Sequence, residues 1–260
     1  MTDLLTLPGG NPKTAKGVEL HGYATAVHHL APKWTSKVRD VCLWSSPGCV
    51  ASCLNTAGRG GIFRKGETTN HIQQARIKRT IMMEDDPGRY EGILWVEIAR
   101  FVGWCRKKGY EPAVRLNGTS DIPWEEEMPG IFRNFMGVSF YDYTKSYDRM
   151  LHSMLHKPVE HWPKNYHLAF SRTEDNWDDC LKVLKLGGNV AVVATKDTKE
   201  KFLERGWYRE PWRDDGTYYE VVDGDTHDYI PGRGKHKVLL LSAKGKAKED
   251  TRGFVVREFT

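Results

Sequence analysis

The sequence predicts one α/β domain built on a mostly parallel sheet. Three observations carry that prediction. From about residue 110 onward, short apolar runs of strand length alternate with helical patterns. No period of 20–50 residues repeats, and no low-complexity linker divides the 260 residues. Strands separated by helices imply parallel pairing, because parallel neighbours need long crossovers.

The opening forty residues are punctuated by Gly9, Gly10, Pro12, Gly17 and Pro32 and read as an irregular extension. "SKVRDVCLW" reads as a first strand running into a cysteine-rich loop. "ETTNHIQQARIKR", from Glu67 to Arg79, reads as a basic helix, and "YEGILWVEIARFVGWCRKKG" as a strongly apolar one closed by Gly109. The alternation follows: strand "PAVRLNG", helix "PWEEEMPGIFRNF", strand "VSFYDYT", helix "YDRMLHSMLHK", strand "YHLAFS", helix "NWDDCLKVLKLG", strand "NVAVVAT", helix "TKEKFLERG" and a last strand "KVLLLSA". The expected division is an extension over residues 1–40, the α/β body over 41–247 and a basic, mobile tail over 248–260.

Composition bounds the function loosely. A net charge of +5 permits nucleic-acid contact without demanding it, and nine tryptophans with eleven tyrosines serve cores and base stacking equally. No apolar run reaches the length of a membrane span, so no membrane partner is expected. The start lacks the basic and apolar regions of a secretory signal, and the cysteine count is odd. Both favour a reducing, cytoplasmic setting, where clustered cysteines serve as metal ligands more often than as disulfides. Subunit number is not readable.

Parallel α/β folds place function at the carboxyl ends of their strands. Those positions are chemically loaded here: Arg115, Asn117, Ser120 and Asp121 after the second strand, Tyr143, Thr144 and Lys145 after the third, Ser171, Arg172, Glu174 and Asn176 after the fourth, and Lys196 after the fifth. Arg115 and Asp121 read either as a clamp for a carboxylate and an amine or as a pair with each other. Lys145 and Lys196 suit an anion, or are exposed lysines. Asp223, Asp225, His227 and Asp228 crowd a stretch that reads best as a solvated Asp-Gly turn.

The densest signal is Cys42, Cys49 and Cys53, three of the five cysteines, in C-x6-C-x3-C spacing among glycines and basic residues. Three thiolates can hold three corners of a metal centre. The readings open are an iron–sulfur cluster, a zinc site completed by a fourth ligand such as His28, His29 or His71, and three small buried hydrophobes. Cys105 and Cys180 sit in apolar helical patterns and read as core.

Taken in order, the cysteine loop, "VRLNGTSD", "FYDYTK" and "DGDTHDYIPGRGKHKVLLLSAKGKA" resemble the bacteriophage gene product 88 family, as does the early "GNPKTAKG". The likeness runs from about Asn11 to Ala247. It departs at Thr119-Ser120-Asp121, where Ser-Gly-Asp is usual, and at Leu54, where an aromatic is usual. The resemblance implies a partial (β/α)6 TIM-like barrel similar to that of radical S-adenosylmethionine enzymes, although the cysteine spacing differs from the C-x3-C-x2-C of those enzymes. On that likeness Cys42, Cys49 and Cys53 hold a cluster, expected as 4Fe-4S, with S-adenosylmethionine as a possible cofactor. Arg115, Asn117, Ser120, Asp121, Lys145, Ser171 and Asn176 then face the cofactor or substrate. For Ser171 and Asn176 a helix N-cap is the competing reading. The implied function is an enzyme of the phage-infected host cytoplasm acting on a nucleotide, nucleic acid or small metabolite. The alternative is a non-catalytic, zinc-stabilised nucleic-acid-binding protein.

Overall fold

The computed structural model describes residues 3–10, 12–155, 162–211 and 216–257. Nine strands form one sheet: β1 (Leu5–Thr6), β2 (Tyr23–His28), β3 (Glu111–Arg115), β4 (Ser139–Thr144), β5 (Tyr166–Ser171), β6 (Val190–Ala194), β7 (Trp207–Tyr208), β8 (Tyr219–Asp223) and β9 (Val238–Ser242). Their spatial order is β1-β2-β3-β4-β5-β6-β9-β8-β7. From β2 to β8 every pairing is parallel, and only β1 and β7 run antiparallel to their neighbours. The sheet is open, with β1 and β7 as its edges.

Ten helices accompany it among the described residues: α1 (Pro12–His21), α2 (Lys33–Ser36), α3 (Pro47–Ala51), α4 (His71–Asp85), α5 (Pro87–Lys108), α6 (Trp124–Glu127), α7 (Pro129–Asn134), α8 (Tyr147–Leu155), α9 (Trp177–Lys185) and α10 (Lys196–Arg205). The long α5 shows why this sequence folds locally as it does. Asp86 caps its first turn by accepting from the Arg89 amide, Pro87 stands at its start, and Gly109 closes it at φ 71°. Its buried stripe is Tyr90, Leu94, Ile98, Phe101 and Cys105, one face at helical spacing. Cys105 and Cys180 are fully buried, as their patterns predict.

The two faces of the sheet differ. Val114, Phe140, Leu168, Phe170, Val190, Val192, Val238 and Leu240 point into the main core beneath the helices. The alternate positions form a second, thinner cluster of Ala113, Tyr141, Ala169, Ala191 and Leu239, covered by Tyr229 and Ile230. Small residues on this face leave room above it.

Four expectations need correction. "SKVRDVCLW" forms no strand: Lys37 takes a positive φ, the Asp40 carboxylate accepts from the Cys42 amide, and Cys42 makes a single bridge to Asp121. The first parallel strand is instead β2, which pairs with β3 from Tyr23 to Val27, so the supposed N-terminal extension supplies two strands, β1 and β2, at one margin of the sheet. The helix over "PWEEEMPGIFRNF" breaks into α6 and α7, because Pro129 has no amide to continue the first. The stretch from Lys248 to Arg257 is seated rather than separate. Val255 and Val256 are buried, and Val256 bridges to Ala194 at the end of β6. The part of the "YDRMLHSMLHK" helix beyond Leu155 lies outside the described residues.

Arg172 fastens that C-terminal segment. Its guanidinium grips both Glu210 carboxylate oxygens at 3.0 and 2.6 Å and donates to the Gly253 and Phe254 carbonyls. Both partners of the ion pair are buried. Removing one leaves an unpaired buried charge, so Arg172→Met is expected to cost about 3–5 kcal/mol, whereas Arg172→Met/Glu210→Met costs less. Urea unfolding of the two variants checks this; equal losses would contradict it.

Candidate functional site

The carboxyl ends of the parallel strands surround a cavity of about 220 Å³. Its floor follows the two-residue period of the thin face: Arg115 lies two residues beyond Ala113, Tyr143 beyond Tyr141, Ser171 beyond Ala169, Val193 beyond Ala191 and Leu241 beyond Leu239. The cysteine loop forms one wall, with Cys42, Ser45, Cys49, Ser52 and Cys53 all facing inward. Ser242, Lys244, Ala247 and Phe254 of the C-terminal segment close the other.

The loop that carries the thiols is built by short-range polar contacts. Ser46 caps α3 by accepting from the Cys49 amide at 3.1 Å, and Glu174, arriving from the end of β5, accepts from the Ser46 hydroxyl and the Gly48 amide at 2.7 and 2.6 Å. A Cβ at Gly48 would stand 2.6 Å from both a Glu174 oxygen and the Phe254 Cβ, so only glycine lets these three segments meet. The Cys53 sulfur accepts from the Asn55 amide at 3.5 Å. Asn55 is in turn held by Arg76 of α4, whose Nη1 donates to its side-chain oxygen at 2.7 Å. All five cysteines are thiols and not disulfides. Burial pushes the Cys53 thiol up.

Lys145 lies against this wall. Burial pushes its ammonium down, but Cys49 and Asp121 beside it outweigh burial and hold it above its ordinary value. Asp121 is buried and accepts from the Lys145 amide at 2.8 Å and from Arg149 at 2.9 Å; Arg149 in turn grips Glu125 through two contacts of 2.7 Å. Arg115 pairs with Asp228 at 3.0 Å and lies over the Tyr143 ring. The Arg115 Nε is buried without a hydrogen bond, 3.9 Å from an Asp142 oxygen. Thus Arg115 and Asp121 do not pair with each other.

Of the residues read from the sequence, Cys42, Cys49, Cys53, Arg115, Asn117, Ser120, Asp121, Lys145 and Ser171 line one cavity. Asn176 does not. Its side chain accepts from the Thr173 amide and donates to the Ser171 carbonyl, shaping the loop that presents Ser171. Asn117 lines the wall but is spent on structure, its oxygen accepting from Ser120, Ile122 and Trp124. Lys196 is exposed beside Glu200 on α10. His28 is a core residue bonded to the Leu116 carbonyl and Tyr90, with burial pushing it down to about 4. His71 is exposed at the start of α4. Among the described residues no group of three His, Cys, Asp or Glu side chains is arranged to hold a metal ion, so the thiols share the cavity without a preformed ligand cage.

Sequence reasoning missed Asp142, Ser52 and the cavity role of Asp225 and Asp228. Asp225 and Asp228 are not solvated turn residues. Asp223 and Asp225 hold the Lys199 ammonium at 2.6 and 2.9 Å, and Asp228 faces Arg115. A carboxylate in the middle of the apolar strand "SFYDYT" was a signal for Asp142.

An open parallel α/β protein with a thiol-walled cavity at its strand ends is the class these features define. Residues 4–258 match the gene product 88 family, and the chain belongs to that family. No curated protein and no solved structure matches it. No helix among the described residues is long and apolar enough to cross a membrane.

Asp142 accepts from the Asn117 amide and the Tyr166 hydroxyl, and burial pushes its carboxyl up to about 7 although Arg115 opposes this. The folded state therefore holds this proton more tightly than the unfolded chain does, where the ordinary value of 3.8 applies. The stability gained is full below that ordinary value and is lost as pH rises through about 7. Asp142→Asn, which cannot titrate, is expected to flatten the decline of the urea midpoint across this range; an unchanged decline would contradict the assignment.

Proposed function

We propose that the chain is an iron–sulfur barrel protein of the radical S-adenosylmethionine-like type, with Cys42, Cys49 and Cys53 as the protein's three cluster ligands. One observation carries the reading: three thiols from a single loop open onto the same cavity as the tips of β3, β4, β5, β6 and β9. Sequential parallel strands from β2 to β6, continued by β9, suit the open barrel that such chemistry uses.

The donor set fits a cluster better than a structural zinc site. A tetrahedral zinc closed by protein needs a fourth ligand; no histidine among the described residues lines the cavity, and its carboxylates Asp121, Asp225 and Asp228 are engaged by Arg149, Lys199 and Arg115. Burial works against a free thiolate at Cys53, and two neighbours oppose that effect. Amide donation to Cys53 and the nearby Lys145 ammonium both stabilise negative charge on sulfur. Ser52 adds a buried hydroxyl on the cavity wall with no hydrogen-bond partner.

A cluster held by Cys42, Cys49 and Cys53 would supply one-electron reduction of S-adenosylmethionine. The chain's own residues would do the rest. Lys145 offsets the charge of Cys49 and Cys42. Arg115 and Asp228 present a cation and an anion side by side on the floor, where a zwitterionic or carboxylate-bearing ligand can exchange for one of them. Ser171 adds a hydroxyl to the lining of the same cavity. Ala247 and Phe254 add apolar surface to the wall opposite the cysteine loop.

Iron and acid-labile sulfide analysis of anaerobically purified protein tests the reading. Iron and sulfide in equal amounts are expected, with both falling at least about tenfold in Cys42→Ala, Cys49→Ala and Cys53→Ala. Stoichiometric zinc without sulfide would overturn it.

A further inference from the structure

The mouth of the cavity is bordered by two segments that the fold presses together. The turn Leu54–Thr56 packs on the turn Gly245–Glu249, and a Cβ at Gly245 would stand 3.3 Å from Ala57. Both segments continue into exposed basic chain. Arg59, Arg64 and Lys65 follow on the cysteine side, and Lys246, Lys248 and Arg252 on the C-terminal side. Among the described residues none of these six makes an ion pair, whereas Lys244, deeper in, is matched by Asp225. Among the described residues only Glu67 and Glu249 set exposed negative charge within the same two segments.

Apolar side chains are interspersed with these cations. Leu54, which also lines the cavity, Ile62 and Phe63 are all exposed. The segment is anchored rather than loose, because the Asn70 amide donates to the carbonyls of Arg59, Gly60 and Ile62. Exposed apolar and aromatic groups among unpaired cations, continuous in sequence with the cavity-lining Leu54 and Ala247, are the chemistry that binds a sugar–phosphate backbone while stacking its bases. An anionic lipid surface fits less well, since no amphipathic helix lies in these segments.

We propose that this rim binds a single-stranded polynucleotide, with phosphates on the cations and one nucleotide directed into the cavity. The inference rests on the reading of the cavity as a reaction centre, and it names the substrate class of that centre. An enzyme that acts on one base in a chain must hold the flanking phosphates outside the pocket that takes the base.

Fluorescence anisotropy with a labelled mixed-sequence DNA or RNA strand of about twenty nucleotides tests this over a salt series. Arg59→Glu/Lys246→Glu/Lys248→Glu is expected to weaken binding at least about tenfold, and to lower the slope of log affinity against log salt by about 2, since each single-strand phosphate contact contributes about 0.7. Lys107→Glu/Lys108→Glu, exposed at the opposite end of the strands, should leave binding unchanged. Arg64→Glu/Lys65→Glu serves as a second rim variant if the first does not fold. Wild-type affinity in a folded rim variant, equal weakening by the Lys107/Lys108 pair, or equally tight retention on phosphatidylserine vesicles would overturn the inference. Iron is measured in the same samples. Iron-loaded protein that ignores the strand overturns this inference alone, and iron-free protein that binds through the rim overturns only the cluster reading.

Discussion

The site depends on one buried carboxylate. Asp121 donates its amide to the Val41 carbonyl at 2.7 Å, which fixes the chain entering the cysteine loop beside the end of β3. Its two oxygens take the Lys145 amide, which places the tip of β4, and Arg149, which ties in α8 and through Glu125 the start of α6. Burial pushes the Asp121 carboxyl up, and Arg149 and Lys145 push it back. A buried anion of this kind is tolerable only when fully partnered, and its loss would strand Arg149 in turn. Three chain segments are therefore placed by one residue, one through its amide and two through its carboxylate, and Cys42 and Lys145 meet as a result.

The far side of the cysteine loop is held by a second carboxylate. Glu174, in the loop after β5, reaches the first turn of α3, while Gly253 and Phe254 pass close by and are held by Arg172. The cavity wall is thus a composite of three distant stretches of sequence. Its floor is simpler, being the alternate residues of the strands themselves. A cavity can form there because Ala113, Ala169 and Ala191 are small.

Much of this was legible before any coordinates. The apolar runs of β4, β5, β6 and β9 and the stripe of α5 mark themselves by periodicity, and the polar residues after each strand identify the functional end. What was hidden had physical reasons. β2 reads "YATAVH", enclosed by histidines and lacking the large apolar side chains that announce a strand. β8, "YEVVD", is only half buried beside β9 and so carries Glu220 and Asp223. The C-terminal segment looks polar because its anchoring is done by Val255, Val256 and the backbone carbonyls that Arg172 receives. Asp225 and Asp228 read as turn residues because their cationic partners, Lys199 and Arg115, lie far away in sequence.

The chemistry proposed for the cavity requires the three thiols to act together on one group. Electron paramagnetic resonance of reduced, anaerobically reconstituted protein, recorded with and without S-adenosylmethionine, tests that requirement most directly. The account predicts a cluster signal that changes shape when S-adenosylmethionine is added and is absent from the variant lacking all three loop cysteines. A signal that survives removal of Cys42, Cys49 and Cys53, or wild-type protein that takes up no cluster at all, would contradict it.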